Sequence, residues 1–438
     1  MRRRWTTLAG LGLAYALAGC GTRTALSIDV DAARPDAGRA LRDGGFDAGP
    51  PDAGRTDAGR PDAGRLDAGR PDAGPPRYEP PARGCDEVRT GVAPPSNVPA
   101  VDLLFVVDDS GSMEEEQDLL ADGFPLFAAA VASGDLDGDG ELDFPPVEDL
   151  HVGVVSTDMG WVGDRDGWAV PIACGHGVDR IGGHDGLLRS ANRAIPGCAT
   201  QADGFVVRHS PGAPIDAFAE RFGCFARLGA DGCGVEQPLE AALKALTPST
   251  SEIAFLGGLP GHGDTLNTGF LRPGSILAVI VLTDEDDDST ADLSWRGVAN
   301  EQYVLGDDWL YPVQRYVDGL QALRADPSRF VFAAIAGIPP ERSGPIHHPS
   351  DADAILADPR MRRVYDPDRG DRLRPSCRSS HGSATPPRRL VELARALPGR
   401  AVLQSICEDD LRPAIRVIAD HVGELVETTW CVDGEVSP

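Results

Sequence analysis

Val101-Asp-Leu-Leu-Phe-Val-Val-Asp-Asp-Ser-Gly-Ser112 is the stretch on which the fold of this chain turns. Val101 to Val107 is an almost unbroken apolar run, the mark of a strand buried on both faces in a parallel sheet. It ends in a polar turn, Asp108-Asp109-Ser110-Gly111-Ser112-Met113. Glu114 to Ala132 then carries Leu119, Leu120, Phe124, Phe127 and Val131 as the apolar stripe of a helix, with Pro125 placed to kink it. A buried strand that feeds a helix through a short turn opens a βαβ unit.

The pattern repeats outward along the chain. Leu150–Val155 is a second strand and Phe205–Val207 a short third one. Ser275–Leu282 is the strongest strand signal, followed by Phe330–Ile335 and Ala401–Ile406. Helical spacing covers Ile215–Leu228, Val235–Leu246, Tyr311–Leu323, Arg388–Leu397 and Leu411–Val426. Buried strands alternating with helices predict an α/β fold with a doubly wound, mostly parallel sheet flanked by helices. Ligands in such folds sit beyond the carboxyl ends of the strands, so the chemistry is sought in the loops there.

The first of those loops sets Asp108, Ser110 and Ser112 at spacing two on a Gly-containing turn. One carboxylate and two hydroxyls converging on a point suit a hard cation, Mg²⁺ or Ca²⁺. The strongest strand ends in Thr283-Asp284-Glu285-Asp286-Asp287-Asp288, which brings more carboxylates to the same edge. Asp109 and Asp158, also at strand ends, read as solvated, and Glu114-Glu-Glu116 reads as complementing the helix macrodipole.

These motifs resemble the von Willebrand factor type A domain. Its Asp-x-Ser-x-Ser pattern is matched by Asp108, Ser110 and Ser112, and its later Thr-Asp by Thr283-Asp284. The resemblance implies a metal-ion-dependent adhesion site holding Mg²⁺, or Mn²⁺ or Ca²⁺, with Asp284 as a direct or water-mediated ligand. It runs from about Val98 to Cys431, longer than the family's usual domain, with the excess expected as insertions at 159–214, 247–274 and 339–387. One element departs. The family supplies a Thr before its third helix, where this chain reads Gly229-Ala-Asp-Gly-Cys-Gly-Val-Glu236. Asp231 or Glu236 would coordinate in its place, or the site is incomplete. A carboxylate there reduces the metal's drive to recruit a ligand acid.

A second cation site is written into Asp135-Leu-Asp137-Gly-Asp139-Gly-Glu-Leu-Asp143. Alternate carboxylates with Gly at the sixth position resemble a calcium loop, with Asp143 substituting for the bidentate Glu that Pro146 replaces. No His-Glu-x-x-His, Gly-x-Ser-x-Gly or Walker loop is present, and Ser110 has no evident base, so the reading is not an enzyme.

The amino-terminal part is an address and a spacer. Arg2-Arg-Arg4, an apolar stretch to Ala18, and Leu17-Ala-Gly-Cys20 resemble a bacterial lipoprotein signal, which implies cleavage after residue 19 and lipid on Cys20. Gly21 in place of Asp favours the outer membrane. Residues 20–97 hold Pro-Asp-Ala-Gly-Arg repeats with no apolar face, so they read as a disordered tether that cannot offset its ordering entropy. The domain follows at 98–431, with a tail at 432–438. Eight further Cys in an exported chain predict disulfides rather than zinc ligands. Proximity suggests Cys174–Cys198 and Cys224–Cys233, with Cys85 and Cys431 bracketing the domain.

The chain of 438 residues carries a formal charge of −27. The tether is close to neutral, with 10 Arg against 11 Asp and Glu in 21–84, so the acidity belongs to the folded part. Such a surface excludes a nucleic-acid partner and leaves the lipid as the sole membrane contact. The expected function is a cell-envelope module that binds a protein or glycan ligand through a divalent cation, the ligand offering an acidic group. A disulfide-braced envelope scaffold with a structural metal is the alternative.

Overall fold

The computed structural model describes residues 98–160, 183–189, 198, 207–210, 213–290, 310–367 and 369–433. The signal with Cys20, the tether, Cys85 and Cys174 lie outside these. In chain order the strands are β1 (Val101–Val107), β2 (Leu150–Ser156), β3 (Val207–His209), β4 (Ile276–Leu282), β5 (Phe330–Ala336) and β6 (Gly344–Pro345). Two small antiparallel pairs follow, β7 (Tyr365–Asp366) with β8 (Arg369–Leu373) and β9 (Cys377–Arg378) with β10 (Ser383–Ala384). The last strand is β11 (Ala401–Ser405).

The main sheet has seven strands in the order β3-β2-β1-β4-β5-β11-β6. The five inner strands are parallel, and β3 and β6 close the edges antiparallel. The expected α/β architecture with a mostly parallel sheet is therefore present. β1 lies between β2 and β4, with Val107 opposite both Ser156 and Leu282. The loops leaving β1 and β4 thus emerge side by side at one edge.

Among the described residues, seven α-helices flank the sheet: α1 (Glu114–Ser133), α2 (Ile215–Ala226), α3 (Pro238–Leu246), α4 (Gln314–Gln321), α5 (Pro349–Leu356), α6 (Arg388–Arg395) and α7 (Arg412–Asp433). Successive strand residues point to opposite faces, which explains why β1 is apolar apart from Asp102, a buried carboxylate paired with Arg272 and Arg324. Leu103, Phe105 and Val107 join a core with α1, α2 and α7. Leu104 and Val106 join a second core with α3, α4, α5 and α6. On the first face Phe105 meets Phe124, Phe127 and Phe222 at ring-centroid distances of 5.3, 5.4 and 4.8 Å. Pro125 lies inside α1 without ending it. None of the described helices is long and apolar enough to cross a membrane.

The edges depart from expectation. The third strand includes Val207, as expected, and runs on to His209; residues 205 and 206 lie outside the described residues. The helix expected from Val235 starts at Pro238, because the Gln237 N–H donates to the Thr157 carbonyl and Pro favours the first helical position. The region 339–387 holds β6, α5 and both small antiparallel pairs. α7 continues past 431 to Asp433.

Disulfides are present, but not in the expected pairs. Cys198 bonds Cys224, which rules out both Cys174–Cys198 and Cys224–Cys233. Cys224 lies near the end of α2, and its partner is 26 residues earlier in the sequence rather than the nearer Cys233. Cys377 bonds Cys407, tying β9 to the end of β11, and Cys233 is also disulfide-bonded.

Candidate metal centre

Asp108 leaves the end of β1 fully buried. Its Oδ1 accepts the Ser110 N–H at 2.8 Å, and its Oδ2 accepts the Thr283 hydroxyl at 2.6 Å. Ser110 Oγ lies 3.1 Å from Ser112 Oγ, and the Ser112 hydroxyl donates to Asp284 Oδ1 at 3.1 Å. Asp108, Ser110, Ser112 and Asp284 are thereby brought together, across the 172 residues that separate Ser112 from Asp284. Ser112 is exposed, whereas Ser110 and Asp284 are buried, so the cluster opens to solvent on the Ser112 side.

The departure before α3 has a definite answer in the structure. Asp231 is exposed, whereas Glu236 is buried. Glu236 is held at the carboxyl edge because its carbonyl accepts the Asp288 N–H at 2.8 Å and the next residue bonds Thr157. Its Oε2 is buried without a hydrogen-bond partner. Glu116 is buried as well, and its Oε2 also has no partner. Glu116 stands in the first turn of α1, as expected for a partner of the helix macrodipole, but it is buried there, whereas Glu114 and Glu115 are exposed. The loop through Gly382 covers Glu116, and a Cβ there would fall 2.0 Å from Glu116 Oε1.

Like charges pile up in this small volume. Burial pushes the Asp108 carboxyl up to about 7 despite its bonds from Thr283 and Ser110. Glu236 is pushed well above the carboxylate range by burial, then by the charges of Glu285, Asp108 and Asp284. Asp284 is raised in the same way by burial and by Asp108, Glu285 and Glu116. Burial also raises Glu285, whose side chain hydrogen-bonds Glu236. A divalent cation reverses this penalty, since an opposite charge favours the ionised form. The carboxylates of Asp108 and Asp284 with the hydroxyls of Ser110 and Ser112 are hard oxygens of the kind that Mg²⁺ or Ca²⁺ takes.

Several residues around the cluster have structural tasks. Gln117 Nε2 donates to the carbonyls of Asp108 and Gly229, both at 2.6 Å, and its Oε1 accepts the N–H groups of Leu228 and Gly229. It clamps the 228–229 turn to the end of β1; a lone Gln on a helix gives no sequence signal for this. Asp109 and Asp158 are buried, not solvated. Asp109 accepts the Ser156 hydroxyl at 2.6 Å and lies 3.1 Å from His184 Nδ1. Asp158 accepts the Gly160 N–H, and its carbonyl accepts the N–H groups of His184 and Asp185. Within 286–288, Asp287 accepts the Leu239 N–H at the start of α3 and pairs with Arg389, and Asp286 accepts the Arg389 N–H at the start of α6. These carboxylates anchor helices rather than joining the cluster.

The second acidic loop follows α1, whose 20 residues carry the chain roughly 30 Å away from the first site. Asp135, Asp137 and Asp143 each place a carboxylate oxygen within 4.8 Å of the others. Asp139 is absent from that group; its Oδ1 accepts the Glu141 N–H instead, at 2.8 Å. Asp135 accepts the N–H groups of Gly138 and Gly140, and Asp143 that of Leu136.

No family model matches the chain, and no curated protein matches it. A solved structure that does match is proximal thread matrix protein 1 from the mussel byssus, at 14% identity and a TM-score of 0.24. The match covers 56% of this chain and 39% of that one, so it spans well under two thirds of that protein, and similarity at this level carries no argument about fold or function.

Proposed function

We propose that the folded region is a von Willebrand factor type A-like module that binds a protein or glycan ligand through a divalent cation, presented on the cell envelope by a lipid anchor at Cys20. The observation that carries this reading is the hydrogen-bonded run Ser110–Ser112–Asp284, with Asp108 at its base, at the carboxyl edge of a parallel sheet. Asp108, Ser110, Ser112 and Asp284 would hold Mg²⁺, Mn²⁺ or Ca²⁺, with Glu236 standing where the family has Thr. The cation would supply the positive point to which a ligand oxygen adds. The residues of the chain orient the hydroxyls and carboxylates around it, and the cation's charge would favour the ionised carboxylates that burial disfavours.

Calcium at Asp135, Asp137 and Asp143 belongs to the same reading as a separate site. The alternative, an envelope scaffold whose metal serves stability alone, draws support from Glu236. This buried carboxylate already supplies negative charge that a partner's acid would otherwise bring. Chelation distinguishes the two. Partner capture on immobilised protein is expected to vanish with EDTA and with Asp108→Ala, and to return in wild type when Mg²⁺ or Ca²⁺ is added back. Capture that survives both treatments supports the scaffold.

A further inference from the structure

A cavity of about 420 Å³ lies where α4 and α6 begin, lined by Tyr311, Pro312 and Val313 together with three arginines, Arg363, Arg388 and Arg389. Asp108, Ser110, Ser112 and Asp284 are not part of that lining. The cavity still stands at the carboxyl edge of β4, because Asp286 accepts the Arg389 N–H and Asp287 accepts from its guanidinium. Three cations gathered in one cavity run against a chain whose formal charge is −27. Two of them also open α6, where the helix dipole disfavours positive charge and the first turn holds no acidic residue.

The donors of these arginines are only partly used. Arg389 is buried; it gives Nε to Asp287 Oδ2 at 3.0 Å and Nη2 to the Tyr311 carbonyl at 2.7 Å. Its Nη1 has no partner among the described residues. Arg388 gives Nη1 to the carbonyls of Leu356 and Met361 at 3.3 and 3.0 Å, and among the described residues no carboxylate pairs with it. Arg363 Nη2 lies 3.7 Å from Asp288 Oδ1. A guanidinium keeps its charge and only donates, so the remaining N–H groups call for water or an oxyanion. We infer that this cavity binds a small organic anion, a carboxylate or phosphate head on an apolar body, with Arg388 and Arg389 holding the head. Arginine forks match either head with paired, charge-assisted bonds. The volume lies within the roughly 300–1,000 Å³ of small-molecule pockets, and Tyr311, Pro312 and Val313 offer the apolar contact. Glu392 also lines the cavity and is exposed. Its charge opposes an anion, so removing it has an expected sign. The inference requires no cation at Asp108.

Fluorine NMR titration of the full chain in EDTA tests this with para-fluorophenyl phosphate, para-fluorophenylacetate and the neutral para-fluorophenylacetamide. At least one acid is expected to bind saturably and about tenfold or more tighter than the amide, and the tighter acid identifies the head group. Arg388→Gln should weaken that acid about tenfold or more, through the loss of a charge-assisted contact. Glu392→Gln should tighten it by about two- to fivefold. Glu392 is exposed, so its variant decides the matter even where Arg388→Gln unfolds too readily to titrate. The inference is overturned if neither acid saturates, if the amide binds as tightly, or if Glu392→Gln leaves the affinity unchanged. With EDTA present throughout, each of these outcomes leaves the cation reading of the Asp108 cluster standing.

Discussion

Thr283 Oγ1 donates to Asp108 Oδ2 at 2.6 Å, so the end of β4 fixes the carboxylate that closes β1. With Ser110 N–H on the other oxygen, the Asp108 carboxylate has a set orientation. Thr283→Val keeps the shape and removes the hydroxyl. Outer partners of metal ligands commonly govern affinity by 10- to 100-fold, and a loss of about that size is expected for Ca²⁺ or Mg²⁺. Urea denaturation of the metal-free variant should show a smaller cost, about 1 kcal/mol for one hydrogen bond. Titration curves that overlay wild type would show that Thr283 does not position the ligand.

Asp109 sits beside Asp108 but serves the other side of β1. Its partners Ser156 and His184 belong to β2 and the loop that covers it, while the cation candidates lie toward β4. Asp109→Ala removes the acceptor of the buried Ser156 hydroxyl and the carboxylate beside His184, so a loss of about 1–3 kcal/mol is expected in chemical denaturation. Cation affinity should stay within a few-fold of wild type. A variant that keeps its stability but loses its cation would move Asp109 into the site.

The parts of this molecule that could be read in advance are those whose signal is local. β1 and β4 are buried on both faces, and their apolar runs say so without context. Asp108, Ser110 and Ser112 lie on one turn, and Asp284 follows the strand that had to lie near β1. The edges are too short to carry a pattern: β3 has three residues and β6 two. Glu116 escapes because a first-turn Glu has a sufficient local explanation, and only the distant Gly382 loop buries it. Asp109 and Asp158 look solvated until His184 and its neighbours fold over them. The cysteine pairs fail for the same reason, since proximity along the chain ignores the return of α2 toward Cys198.

The Cys377–Cys407 bond closes a loop with a sequence separation of 30 and holds the β9–β10 pair against the end of β11. Chain-entropy estimates for a loop of this size give about 3–4 kcal/mol. The double variant Cys377→Ser and Cys407→Ser should lose stability of that order in denaturant titrations under oxidising conditions. Equal midpoints for variant and wild type would mean that packing alone secures the hairpin.

Gly382 gives a handle on Glu116. A Cβ at this position would lie 2.0 Å from Glu116 Oε1 and 3.1 Å from its Cδ. That contact is with the end of a flexible side chain, so Gly382→Ala should displace the carboxylate rather than unfold the chain. The expected result is weaker Ca²⁺ binding, by roughly tenfold, with a melting temperature close to wild type. Unchanged Ca²⁺ affinity would show that Glu116 plays no part in holding the cation.

Asp185 links the pH response to the inserted loop. It accepts from Lys244, the single lysine of the chain and fully buried, and it meets His262 Nε2 at 3.1 Å. Burial alone would raise its carboxyl, but the bonds and charges of His262 and Lys244 outweigh this and hold it below the usual range. A depressed folded pKa means the pair stabilises the fold above the unfolded carboxylate value of about 3.9, and that stability is lost as pH falls through the folded value. Asp185→Asn suits the left-handed backbone at φ 53° and removes only the charge. Near pH 7 this variant should melt below wild type, because Lys244 is left buried without its anion. The two melting curves should converge only below the folded value, itself under about 3.9, as wild-type Asp185 takes up its proton. Parallel curves across the whole range would show that the ion pair contributes nothing to stability.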